Sequence, residues 1–215
     1  MLQHEGIQIT WLGHDGFKLK KGKVVYVDPF KLGAKPEPAD LVFVTHEHFD
    51  HLSVDDLKKV VTPATTIVTI AACEAAVKPL KPKAVRLVAP GDRLTVDGVT
   101  VEVLPAYNVN KFRAPGQVFH AKTDAHVGFV FRMDGTRVYF AGDTDFIPEM
   151  KSIRCDIALL PVSGTYVMTA EEAAEAVAAL RPRIAVPMHY AAIVGSDSDA
   201  QKFKSLVKNC QVEVI

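Results

Sequence analysis

The chain has 215 residues, 25 Lys+Arg against 25 Asp+Glu, 48% hydrophobic residues, 8 His and 3 Cys. That length suits a single soluble domain over residues 1–215 that buries roughly 70% of its unfolded surface, so the core needs neither disulfides nor a structural metal, and a bound metal would be functional. Zero formal charge excludes a basic domain gripping nucleic acid through counterion release, and Cys73, Cys155 and Cys210, far apart and without a C-x-x-C, exclude a disulfide framework or thiolate zinc site and point to a reducing cytoplasm.

In chain order, residues 1–6 lack the basic and apolar regions of a signal peptide, and no apolar run nears the roughly 18 residues of a membrane span. Neither secretion nor membrane insertion is expected. Residues 7–12, 17–20 and 24–27 read as short strands, with Lys21-Gly22 as a turn. After a proline-containing loop, 41–44 is an unbroken apolar run, the pattern of a strand covered on both faces. Ser53 followed by Asp56 predicts a helix start, with helical spacing over 54–61, and 65–70 returns to β-branched strand character. Further strands are expected at 84–88, 94–96, 99–104, 127–133 and 138–141, the last two joined by Asp134-Gly135. Residues 106–124 read as a long irregular loop, the kind that contacts substrate. The chain ends with a strand at 157–162, a helix at 169–180 opened by Thr169 with Glu171 and Glu172, a strand at 184–187 and a helix at 197–208. Many strands with interspersed helices and no internal repeat favour a layered α/β sandwich over an all-β barrel.

The chemistry concentrates in His46-x-His48-x-Asp50-His51, directly after the apolar strand. In extended backbone, residues two apart point the same way, so His46 and His48 can converge on one ion, while Asp50 and His51 reach a second ion or a water. Imidazole with carboxylate suits zinc first, and manganese or iron where carboxylates dominate. Elsewhere Asp28, at a strand end before Pro29, is either an orienting partner for a ligating imidazole or a plain turn residue. His14 is either at the edge of the site or structural. Ser163-Gly164-Thr165-Tyr166 offers backbone N–H groups to an anion or is only a loop. Lys18, Lys20, Lys21 and Lys23 read as a solvated face.

The segment His46 to His51 resembles the H-x-H-x-D-H signature of the metallo-β-lactamase superfamily. Gly13-His14-Asp15-Gly16-Phe17 and Asp28-Pro29-Phe30 are similar to the opening hairpin of its branch of ascorbate-6-phosphate lactonase-like proteins and uncharacterised metal-dependent hydrolases. Ala141-Gly142-Asp143-Thr144-Asp145 resembles the later G-D-T segment, and Pro187-Met188-His189-Tyr190 the terminal His segment. The resemblance implies an α/β, αββα sandwich with two divalent ions at one edge: His46 and His48 on the first, Asp50, His51 and His189 on the second, Asp143 between them. It also implies a further first-site His where Leu104-Pro105-Ala106-Tyr107-Asn108 offers Asn108. That first site is therefore incomplete unless Asn108, His120 or water fills it, with His126 a weaker candidate.

Function follows as a set of expectations. The resemblance implies a hydrolase in which metal-activated hydroxide attacks a small ester, lactone or phosphodiester. Asp50 would orient the hydroxide and take its proton, and His120 or Tyr107 would assist the leaving group. The expected partner is a small, anionic substrate, with no nucleic acid or membrane and with room for a homo-oligomer. A β-lactamase, nuclease or diiron redox role is disfavoured by the absence of a signal peptide, a basic surface or a flavin domain. The alternative is a catalytically impaired metal-binding protein of the same fold with a regulatory or partner-binding role.

Overall fold

Strand directions place the chemistry in this fold. The computed structural model describes residues 1–215 as two compact units, Met1–Val88 with Ile215, and Ala89–Val214. In the first unit, β1 (Leu2–His4), β2 (Ile7–Gly13), β3 (Gly16–Lys21), β4 (Lys23–Val27), β5 (Leu41–Val44), β6 (Thr66–Thr69) and β7 (Ala84–Leu87) form one sheet in sequence order. Pairing is antiparallel from β1 to β4 and parallel from β4 to β7. Every residue of β5 and β6 is buried, as the unbroken apolar run predicts. The β5–β6 connection carries α1 (Val54–Val60), whose N-cap Ser53 accepts from the Asp56 N–H. The β6–β7 connection carries α2 (Glu74–Val77), flanked by single 3₁₀ turns. Neither α2 nor β1 is evident in the sequence, because four and three residues are too short to show a period.

In the second unit the chain forms β8 (Arg93–Val96), β9 (Val99–Pro105), β10 (Phe112–Ala114), β11 (Gln117–Val118), β12 (Val127–Met133), β13 (Thr136–Phe140), β14 (Ile157–Pro161), β15 (Ile184–Met188) and β16 (Gln211–Val212). The sheet order is β16-β15-β14-β13-β12-β9-β8, parallel from β13 to β16 and antiparallel from β8 through β9 and β12 to β13. α3 (Ala170–Leu180) and α4 (Asp197–Leu206) follow β14 and β15. Thr169 and Glu172 close a reciprocal capping box on α3, which buries Ala170, Ala173, Ala176, Val177 and Leu180 along one stripe.

The loop expected over 106–124 is more ordered than its sequence suggests. It holds the separate β10–β11 hairpin, turned at Pro115-Gly116 with Gly116 at φ 72°, and a 3₁₀ turn at Lys122–Asp124. The Pro-Gly pair was the available turn signal. No helix is long and apolar enough to cross a membrane.

Candidate functional site

In the first unit β2, β4 and β5 run the same way, so the turn after β2, Asp28 after β4 and Thr45-His46 after β5 emerge from one sheet edge. His14, Asp15, Asp28, Thr45, His46 and His51 are all buried. Asp28 is the hub. Its Oδ1 accepts the Thr45 N–H at 2.9 Å, and its Oδ2 accepts the Thr45 hydroxyl at 2.6 Å and lies 2.8 Å from His51 Nδ1. Burial pushes the Asp28 carboxyl above its ordinary value, against the opposing pull of His51 and Thr45. With Nδ1–H donating to a carboxylate, His51 keeps its lone pair on Nε2. That nitrogen lies 3.5 Å from Asp15 Oδ2 and 3.8 Å from Asp50 Oδ2. His14 Nε2 stands 2.9 Å from Asp50 Oδ2.

His46 and His48 also meet, with His46 Nε2 at 3.0 Å from His48 Nδ1, and the His46 and His51 rings pack at a 41° tilt with centroids 4.0 Å apart. The route differs from the expected strand alternation. β5 ends at Val44, and the His51 and Leu52 N–H groups both return to the His48 carbonyl. The chain bends at 47–48, and the turn at 49–51 brings His51 back beside His46. The lysine face is a paired one, as Lys18 and Lys20 both reach Glu37 and Lys23 reaches Asp40.

In the second unit β9, β13, β14 and β15 run in one direction, which places Asn108, Asp143, Ser163 and His189 beyond the carboxyl ends of their strands at a single edge. His120 Nε2 and His189 Nε2 each lie 3.4 Å from Asp143 Oδ2. The Ser163 hydroxyl sits 2.9 Å from His189 Nδ1. Asn108 Oδ1 accepts the His120 N–H at 2.9 Å and stands 3.0 Å from its Nδ1. The amide is fixed the other way round too, since its Nδ2 donates to Asp145 Oδ1 and the Tyr166 carbonyl. An amide oxygen only accepts, so Nδ1 of His120 carries the proton and Nε2 the lone pair.

Thus His120 is a buried ring beside Asp143. Asn108, at the position where the resemblance expects a His, holds His120. His126 is buried at the start of β12, its ring 5.6 Å from that of His120. Tyr107 turns elsewhere, its hydroxyl donating to Glu149 at 2.9 Å and lying 3.4 Å from Lys122 Nζ. Burial and Glu149 raise its pKa. Two positions were missed. Asp145 accepts the N–H groups of Val109 and Asn110 and so starts the loop that carries His120; a second Asp in the Gly-Asp-Thr-Asp turn was its signal. Asp15 lies beside His51, and its adjacency to His14 in a tight turn could have marked it.

The donor chemistry fits divalent metal. Three buried imidazoles, His51, His120 and His189, are each held at Nδ1 by Asp28, Asn108 and Ser163, with Nε2 turned to a carboxylate. That is how second-layer hydrogen bonds orient metal-ligating histidines, and for His51 and His120 the partner also sets the tautomer.

The profile of the β-lactamase superfamily domain matches residues 8–189. A UPF0173 metal-dependent hydrolase of Methanoculleus marisnigri is 37% identical over 210 residues, covering 94% of this chain and 89% of the relative. Another, from Thermoplasma acidophilum, is 34% identical over 224 residues, covering 98% and 95%. The crystal structure of a protein from Parabacteroides distasonis, assigned as a metal-dependent hydrolase, superposes with a TM-score of 0.81 at 31% identity, covering 97% of this chain and 92% of that one. The chain thus belongs to the metallo-β-lactamase superfamily, has its mixed α/β fold of two helix-flanked sheets, and is one of its metal-dependent hydrolases.

Proposed function

We propose that the chain hydrolyses a small anionic ester, lactone or phosphodiester in the cytoplasm, with zinc or manganese held in two sites. The ligands are His46 and His48 for one ion, Asp50, His51 and His189 for the other, and Asp143 shared. The observation that carries this reading is the Nδ1 anchoring of His51 and His120 by oxygens that accept, which leaves their Nε2 lone pairs for a ligand bond, with His189 held at Nδ1 by the Ser163 hydroxyl. When bound, divalent ions make water acidic enough to ionise near pH 7 and stabilise negative charge developing on the substrate.

This chain's own residues do the rest. Asp50, held at Oδ2 by His14 Nε2 at 2.9 Å, accepts the proton of the attacking water. His120, with its ring fixed by Asn108, either fills the vacant first-site position or hands a proton to the leaving group. Tyr107 is the weaker donor, since its hydroxyl is committed to Glu149. The impaired-protein alternative drew its support from Asn at position 108. A buried imidazole held by that same Asn beside Asp143 supports the enzyme reading.

The test is turnover of p-nitrophenyl esters, lactones and bis-p-nitrophenyl phosphate by metal-loaded protein and by the His48→Ala/Asp143→Ala double variant. Wild-type turnover of at least one class, lost by more than about a thousandfold in the variant, is expected. Hydrolysis retained by the variant contradicts the reading.

A further inference from the structure

Asp15 has no part in the scheme above, yet it is fully buried in the β2–β3 turn. The turn aims it deliberately. Gly13 at φ 98° and His14 at φ 52° reverse the chain, and a Cβ added at Gly16 would stand 3.2 Å from the Gly13 carbonyl oxygen and 3.3 Å from that of Asp28. The turn is therefore pressed against the end of β4, which fixes the place of Asp15 in it.

Asp15 Oδ2 faces two imidazole nitrogens, His51 Nε2 at 3.5 Å and His14 Nε2 at 3.7 Å. Both separations are too long for a hydrogen bond. For His51 the tautomer forbids one in the neutral ring, because its proton lies on Nδ1 toward Asp28. Two lone-pair donors are thus held face to face. Ligands sharing one ion at bonds of about 2.1 Å stand about 3.0–3.4 Å apart, and the ligand atoms of His14, Asp15 and His51 all lie within 4.8 Å of one another. Asp50 Oδ2 completes the group at 3.8 Å from His51 Nε2. Carboxylate and imidazole at this spacing form a donor set that suits a divalent cation.

Resting on the two-metal reading, we propose that Asp15 is a further carboxylate ligand of the ion held by His51, and that it shifts that site's preference from zinc toward manganese. Oxygen-rich sites favour manganese, whereas imidazole-dominated ones favour zinc.

The experiment compares chelator-stripped wild type, Asp15→Asn and Asp15→Ser, titrated separately with Mn²⁺ and Zn²⁺ by calorimetry and followed by melting with and without metal. The Mn²⁺ dissociation constant should rise at least about tenfold in both variants, with a smaller change for Zn²⁺. The metal-free variants should melt no lower than metal-free wild type, because a buried charge has been removed, while the rise in Tm on adding Mn²⁺ should shrink. Unchanged Mn²⁺ affinity overturns the inference, as does an equal loss of Tm with and without metal, the mark of a merely structural carboxylate. Wild type that takes up neither ion overturns the two-metal reading itself. Asp15→Ser, with the smaller side chain, provides the affinity readout if Asp15→Asn does not fold.

Discussion

At the residue scale the site is governed by what holds the imidazoles. Asp28 acts through the far nitrogen of the His51 ring, and it fixes both Thr45 and the His51 tautomer. Asp28→Asn keeps the shape and removes the charge, so divalent-metal affinity should fall about 10–100-fold by competitive chelator titration. A change within twofold would show that His51 is oriented by something else. The proposed ligands were legible in the sequence because His46, His48, Asp50, His51, Asp143 and His189 sit in recognisable local patterns. Their supports were not, since Asn108 to His120 and Ser163 to His189 are partners 12 and 26 positions apart. Such pairings are made by the fold, and no local spacing records them.

At the element scale, periodicity gave most strands and both long helices nearly to their ends, and failed where an element is a single turn. Two elements carry tests. In α1, burial alone would raise the Asp56 carboxyl, but Lys59, Ser53 and the N–H groups of Lys31 and Leu32 outweigh it and hold the pKa below its usual value. A depressed folded pKa contributes stability above the unfolded value near 3.9 that is lost as pH falls through the folded one. Asp56→Asn should therefore cost about 1–3 kcal/mol at pH 7, and the urea midpoints of wild type and variant should converge below about pH 4. A gap that stays constant down to pH 3 would refute this assignment. In β12, a Cβ on Gly128 would stand 2.6 Å from the Ala141 carbonyl oxygen and 2.7 Å from that of Phe140. Gly128→Ala should cost about 1–3 kcal/mol, a fall of at least about 2 °C in Tm, and displace the segment leading to Asp143. An unchanged Tm would mean that the strands part freely here.

At the scale of the whole molecule, a composition with no net charge and 8 His concealed two groups of candidate ligand residues, one at a sheet edge of each unit. The sequence motifs anticipated both groups, because each follows a strand end and strand ends are legible. The count of ions is the central claim, and plasma emission analysis of purified protein reloaded with Zn²⁺ or Mn²⁺ and freed of excess tests it most directly. The account predicts two ions per chain for the wild type and fewer than one for the His48→Ala/Asp143→Ala variant. A wild type that retains no divalent ion, or a double variant that retains both, would contradict it.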